Sequence, residues 1–510
     1  MTRTFILIGR TMMRPQFKLA RDLGTLWVGQ IMTKGVAFVA FAVLARRLLP
    51  SGYGAVEYAM GLATLATLAI DGGLGSVGVR RLTQGQQRAE ELVALIPAAQ
   101  LCIAAVIAPS MLLFTWLFAH DPNALPLTAL VACSLFIVPW KQDWLFQAKG
   151  LMTHIVVAQS IRVLTFMLGA LLLVRGDADI LWVGGAEILS VICATTYLST
   201  IQQLRVVPLR IRFALHKLAD LLREGAAIGL GAICWALFQY APLLMLAAMA
   251  GMTETAYFGA AHRLGVSLVT FSWLYHFNLY PVISRRMQGD PEALARLTRM
   301  SVRVAAWGGI GLTLGLTLVA APLLRLLFGP GFDAAAGPFS ILVWTFPLTL
   351  LSGHARWILI AAKRGNDMLL SQIAGVAVAI PSAWLLIGPF GALGAAMAMT
   401  IACATVWAVS QCYTYARGHD VPLLPALPAM IAAALVIVAT KLLELGPGPA
   451  CALGMAAFIA MAFVIDRHLV GEIRFIVFGN APARARHPSP VPAPDPTSPP
   501  PGGERTNHAH

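Results

Sequence analysis

Leu101-Cys102-Ile103-Ala104-Ala105-Val106-Ile107-Ala108-Pro109-Ser110-Met111-Leu112-Leu113-Phe114-Thr115-Trp116-Leu117-Phe118 runs for eighteen residues without a charge. It is continuous rather than alternating, which excludes a barrel strand, and it is long enough to be a helix crossing a hydrocarbon core of ~30 Å. Scanning for similar runs gives fourteen. They lie near 24–45, 55–77, 91–118, 125–140, 154–174, 180–201, 225–250, 256–283, 304–327, 338–361, 368–388, 391–415, 424–444 and 450–470. The composition agrees. Of 510 residues, 58% are hydrophobic and 12% charged, with a mean hydropathy of +0.74. An ordinary soluble domain carries about 25% charged residues. A soluble globule, a disordered chain and a coiled coil are all excluded.

The net charge of +14 comes from 37 Lys and Arg against 23 Asp and Glu. With the N-terminus placed inside, 28 of the basic residues fall in the inside connections and termini. Five fall outside (Arg46, Arg47, Arg175, Arg325, Lys441) and four lie within spans (Lys34, Arg162, Arg263, Arg356). This bias predicts both termini in the cytoplasm and makes nucleic acid an unsuitable partner. The first twenty residues lack the apolar core of a signal peptide, because Arg10 and Arg14 interrupt them. From Ala481 the chain is Pro-rich and reads as a disordered tail. Seven cysteines without Cys-x-x-Cys spacing read as buried apolar residues.

The connections are short, about twenty residues at most, so none can form a soluble catalytic domain. Phosphate-binding loops, zinc-protease motifs and nucleophile elbows are missing from the sequence. The expectation is therefore a transporter rather than an enzyme, with no catalytic residues, no metal site and no cofactor. A weak repeat at an offset of 204 residues aligns Tyr53, Gly61, Arg81, Gln84 and Gly85 with Tyr257, Gly265, Arg285, Gln288 and Gly289. Both copies cross one span in the same direction and end in an inside Arg-x-x-Gln-Gly. The expected fold is an all-α polytopic membrane protein of about fourteen transmembrane helices, in two six-helix lobes plus a terminal pair. Its parts are a cytoplasmic basic segment (1–23), an N-terminal lobe (24–204), a cytoplasmic inter-lobe loop (205–224) and a C-terminal lobe (225–415). An extra helix pair (424–470) and a cytoplasmic Pro-rich tail (471–510) complete it.

Six motifs, in order, resemble a known family. Ala45-Arg46-Arg47-Leu48-Leu49-Pro50-Ser51-Gly52-Tyr53-Gly54 resembles the loop after the first helix of bacterial polysaccharide flippases. Asp71-Gly72-Gly73-Leu74-Gly75, Asp143-Trp144-Leu145-Phe146-Gln147 and Ala256-Tyr257-Phe258-Gly259-Ala260-Ala261-His262-Arg263-Leu264 resemble later motifs, followed by Tyr280-Pro281-Val282-Ile283-Ser284-Arg285 and Leu327-Phe328-Gly329. The resemblance spans about residues 20–345. It implies a flippase of the multidrug/oligosaccharidyl-lipid/polysaccharide exporter superfamily in the bacterial inner membrane, working by alternating access. The implied substrate is an undecaprenyl-pyrophosphate-linked oligosaccharide, for O-antigen, capsule or exopolysaccharide. The implied partners are membrane lipids and the polymerase and glycosyltransferases of the same pathway. A cation-coupled multidrug exporter of the superfamily and a membrane glycan polymerase or glycosyltransferase remain alternatives.

Moving a pyrophosphate and a glycan through hydrocarbon requires a wet cavity with cations, so charged residues inside spans are the candidates. Lys34 lies ~15 Å deep in the first span. Arg263, in the eighth span, belongs to the other lobe, as a clamp across a cavity requires, and can grip phosphate with two donors. Arg162 in the fifth span is a third cation. Asp71, Glu187 and His262 are candidates for coupling or pairing; for Glu187 the two readings are pairing with Arg162 and a part in proton coupling, neither favoured. Trp235 and Gln239, four residues apart on one helix face, are candidates for glycan contact. Glu57 reads as rim-exposed and Arg356 as snorkelling to headgroups. Pro242, Pro281, Pro347 and Pro381 can bend their helices.

Overall fold

The computed structural model describes residues 32–208, 213–287, 289–466 and 469. The basic N-terminal segment and nearly all of the Pro-rich tail lie outside the described residues, as does Gln288 of the repeat. Among the described residues the regular structure is helical, with no strand. The first lobe holds α1 (32–47), α2 (Pro50–Asp71), α3 (Leu74–Thr83), α4 (Ala89–Phe118), α5 (Ala124–Ser134), α6 (Asp143–Ala148), α7 (Met152–Leu173) and α8 (Leu181–Arg205). The second holds α9 (Leu215–Met249), α10 (Met252–Met287), α11 (Pro291–Leu318), α12 (Ala320–Phe328), α13 (Ala336–Leu342), α14 (Thr345–Ala361) and α15 (Gly365–Ala416). A terminal pair, α16 (Leu427–Leu442) and α17 (Pro447–Ile465), packs on α11, where the Phe458 ring meets Trp307 at 5.1 Å.

Eleven helical stretches among the described residues are long and apolar enough to cross a membrane. One of them is double. α15 has 52 residues, which would make a straight rod of ~78 Å. Gly391 breaks it at φ 53° and ψ −130°, a conformation open to glycine. The halves fold back on each other, so that a Cβ on Gly375 would stand 2.4 Å from Val406 Cγ2. Counting the hairpin as two, and adding α1 and the more polar α10, gives the fourteen expected spans. The expected fourth span (125–140) falls within a membrane-length helical stretch, Ala124–Ala148, that is interrupted midway. Its helix stops at Ser134, and a turn through Pro139 leads to α6. Proline lacks the donor that a continuing helix needs.

The second span breaks at Asp71-Gly72-Gly73. Gly72 (φ 50°) and Gly73 (φ 80°) both take left-handed backbone, and the Gly72 amide donates to Leu68 O at 3.0 Å. A Cβ on Gly73 would stand 2.5 Å from Gly225 O, so the break is also where α9 approaches. Asp71 caps the restart, accepting from the Gly75 amide at 3.3 Å and from Gln100 Nε2 at 3.4 Å.

The basic connections collect at one end of the bundle. There Arg80 and Arg81 both bind Glu224, and Lys217 binds Glu91 at 2.5 Å. At the opposite end the basic residues Arg46 and Arg47 close helix C-termini, where unpaired carbonyls carry partial negative charge. Arg47 donates to the carbonyls of Ala170 (3.3 Å), Leu171 (2.5 Å) and Val174 (2.7 Å) at the end of α7. Arg46 donates to Leu326 O and, at 3.1 Å, to Leu327 O at the end of α12, across the lobes. Arg47→Ala should lower stability by about 1–3 kcal/mol, read as earlier thermal unfolding of the full chain in detergent, with Arg47→Lys recovering part of the loss.

The lobes meet tightly at this opposite end, where one apolar cluster runs through both. The repeat-related Tyr53 and Tyr257 both set an edge against Phe332, at 5.4 and 6.2 Å. α2 packs along α10 at glycines: a Cβ on Gly54 would stand 1.8 Å from Met252 O, and one on Gly259 2.6 Å from Glu57 Cγ. Pro242, Pro281 and Pro381 lie inside α9, α10 and α15, and Pro347 lies in α14.

Candidate functional site: a charged cavity between the lobes

A cavity of about 540 Å³ lies between the lobes, bounded by α1, α2, α7 and α8 of the first and by α9 and α10 of the second. Four cations line it, Lys34, Lys141, Arg162 and Arg263, and two carboxylates, Glu57 and Glu187. Its remaining wall is mixed. Thr64, Thr67, Ser134 and Ser267 supply hydroxyls; Trp235, Tyr240, Phe38, Phe41 and Phe166 supply rings.

Both carboxylates are already engaged. Glu57, 5% exposed, binds Arg263 through a two-pronged pair, Nε to Oε1 at 2.7 Å and Nη2 to Oε2 at 2.8 Å. The guanidinium also sits over the Phe41 ring, 3.2 Å from its centroid. This pair joins α2 to α10 and therefore one lobe to the other. Glu187 binds Arg162 within the first lobe. Lys141 binds Asp143 at 2.7 Å near the basic end. Lys34 forms no ion pair among the described residues, and its side chain faces the cavity.

The structure thus gathers six of the residues singled out from the sequence: Lys34, Arg162, Arg263, Glu187, His262 and Trp235. His262 stacks on Phe258 with centroids 5.5 Å apart and meets Tyr240 edge-on at 5.4 Å. Two others do not line the cavity. Asp71 serves the helix break described above. Gln239 is 3% exposed and buried in the bundle, its Oε1 without a hydrogen bond. A four-residue spacing places it near Trp235 on the helix, yet only Trp235 reaches the cavity.

Glu57 corrects the sequence reading most: it is buried and bridges the lobes. Its signal was a carboxylate one turn inside an apolar run, in a span whose other charge, Asp71, lies at the far end. Lys141 lies outside the apolar runs, among the inside connections, so nothing in the sequence singles it out. Arg356 is half-buried, with its Nε enclosed and without a hydrogen bond, a poor match to a snorkelling side chain.

The sequence profile of the polysaccharide biosynthesis protein family matches residues 19–287, more than half of the chain. No curated protein sequence matches it. Among solved structures, the fold is similar to a lipid II flippase, MurJ, in an inward closed conformation. That similarity has a TM-score of 0.70 at 10% identity, covering 88% of this chain and 99% of that one. It is also similar to an inward-facing multidrug resistance MATE family transporter of the MOP superfamily, with a TM-score of 0.63 at 14% identity, covering 75% of this chain and 94% of that one. At such identities the likeness is one of fold. With eleven helical stretches among the described residues long and apolar enough to cross a membrane, two lobes around a charged cavity and a profile match over more than half its length, this chain belongs to the polysaccharide biosynthesis protein family of multi-pass membrane proteins.

Proposed function

We propose that the protein is a flippase. It carries an undecaprenyl-pyrophosphate-linked oligosaccharide from the cytoplasmic to the periplasmic leaflet of the bacterial inner membrane, with both termini cytoplasmic, and feeds O-antigen, capsule or exopolysaccharide synthesis. The observation that carries this reading is the charge balance of the cavity. Four cations face two carboxylates, and arginines already hold both carboxylates. Such a cavity attracts an anion and offers a cationic drug no unoccupied carboxylate. The hydroxyls and rings suit a glycan, which presents hydroxyls and apolar faces together.

The cycle follows from the contacts. The lobes are closed at the end opposite the basic one, through the α2–α10 seam, the Glu57–Arg263 pair and Arg46 on α12. The pyrophosphate enters by Lys34, which has no carboxylate partner among the described residues. It then competes with Glu57 for Arg263, since both present oxygens that a guanidinium grips in pairs. Losing Arg263 to the phosphate loosens the seam, and the lobes open the other way. The lipid tail remains in the bilayer.

Lys34→Ala should reduce export about 10- to 100-fold, the loss of one charge-assisted contact of about 1.5–3 kcal/mol, with expression unchanged and Lys34→Arg largely active. Deleting the protein tests the reading in cells. Lipid-linked repeats should accumulate in the cytoplasmic leaflet while periplasmic polymer disappears. Unchanged polymer output would refute it.

A further inference from the structure

Away from the cavity, the second lobe buries two histidines side by side. His276 on α10 and His354 on α14 are each 1% exposed, with ring centroids 4.8 Å apart. Ser301 of α11 and Tyr275 of α10 complete a chain of polar atoms across three helices. His276 Nδ1 lies 2.8 Å from Ser272 O, and His276 Nε2 lies 3.5 Å from His354 Nδ1. His354 Nδ1 is also 3.3 Å from Leu351 O, and His354 Nε2 is 2.8 Å from Ser301 Oγ. Tyr275 Oη lies 2.5 Å from Ser301 Oγ and 3.3 Å from Ser301 O.

These distances fix the protons, because a carbonyl only accepts. His276 Nδ1 must carry hydrogen for Ser272 O, which leaves Nε2 as an acceptor. His354 Nδ1 must carry hydrogen for Leu351 O, and it also points at that acceptor. His354 Nε2 is then bare and accepts from the Ser301 hydroxyl, which accepts in turn from Tyr275. With both rings neutral, every bond runs in one direction.

The chain has a second satisfied arrangement that holds one proton more. A proton added at His354 Nε2 donates to Ser301 Oγ. The Ser301 hydroxyl turns to Tyr275 Oη, and the Tyr275 hydroxyl turns to Ser301 O. No covalent bond other than the new N–H changes, no heavy atom moves, and the ring gains one positive charge. The charged group facing the pair is Arg356, whose field falls on His276, with Cys403 behind it. The added charge therefore belongs on His354, where no field from Arg356 is resolved.

We propose that His276 and His354 form a binding site for one proton, taken up and released during the transport cycle. The link to the cycle rests on the function proposed above; the proton site does not. Its placement suits coupling. α10 carries both His276 and, thirteen residues earlier, Arg263, ~20 Å along the same helix. α14 approaches so closely that a Cβ on Gly353 would lie 2.2 Å from the His276 ring. A charge appearing between α10, α11 and α14 changes how α10 packs, and α10 is half of the seam.

The test uses the full chain in lipid nanodiscs with ¹⁵N-labelled histidine, scanned over about pH 3 to 8. Of the eleven histidines, one ring of this pair should titrate, and its signal should vanish in His354→Gln. Ser301→Ala and Tyr275→Phe, which keep both rings, should shift its midpoint by about one pH unit or more. Export by His354→Gln should lose the pH dependence of the wild type. Both rings staying neutral throughout, or a His354→Gln pH profile superimposing on the wild type, would overturn the proposal. A titrating pair in a protein that moves no lipid-linked sugar would instead overturn the proposed function and leave the proton site standing.

Discussion

Glu57→Ala should abolish export and destabilise the folded protein by about 3–5 kcal/mol, the cost of leaving one member of a buried ion pair alone. Arg263 would then sit over Phe41 beside the apolar seam with no carboxylate to meet its two donors. The double variant Glu57→Gln with Arg263→Met removes both charges. It should be markedly more stable than either single variant, because no charge is then buried unpaired, yet remain inactive because the phosphate has lost its arginine. Thermal unfolding of the wild type, Glu57→Gln, Arg263→Met and the double variant, with export measured alongside, checks both parts. Additive losses in stability would mean that the two side chains act independently.

Gly54→Leu should have the second large effect. The backbone of α10 leaves no space there: Met252 O lies 1.8 Å, and Ala256 N 3.1 Å, from the site of a Cβ. These are main-chain atoms of a helix end and cannot turn aside as a long side chain would. The lobes must separate at this end, leaving the cavity open to the side it normally excludes. Export should fall by more than about tenfold, since closing on that side is half the cycle. A cysteine placed at Thr64, on the cavity wall, should become reactive to a membrane-impermeant thiol reagent added from that side. Gly308→Ala, where nothing lies within 4 Å of the added Cβ, is the matched control and should be silent.

The span count was legible because a helix crossing hydrocarbon needs about twenty apolar residues, whatever its neighbours. The cavity cations were legible for a related reason: Lys34, Arg162 and Arg263 stand inside such runs, where an unsupported charge is costly. What stayed hidden depends on which helix lies opposite. Glu57 is one turn from the end of its span, a depth that reads as rim, and only the close fit of α2 on α10 at Gly54 and Gly259 buries it. The pairing of Trp235 with Gln239 used a spacing that fixes one face of α9 but not what that face meets. Arg46 and Arg47 entered the topology as two charges on the minority side; their work as caps on α12 and α7 depends on helix ends more than a hundred residues away. The interruption of the fourth stretch after Ser134 was hidden because its apolar composition runs on through Pro139 to Trp140.

The measurement that bears most directly on the central claim is translocation in proteoliposomes holding only this protein and a polyprenyl-pyrophosphate-linked oligosaccharide labelled on its sugar. Wild-type protein should expose the labelled sugar to the opposite leaflet, while Lys34→Ala and Arg263→Ala each slow this at least about tenfold with equal reconstitution. Wild-type vesicles that leave the sugar in its original leaflet, or variants that move it at the wild-type rate, would contradict the account.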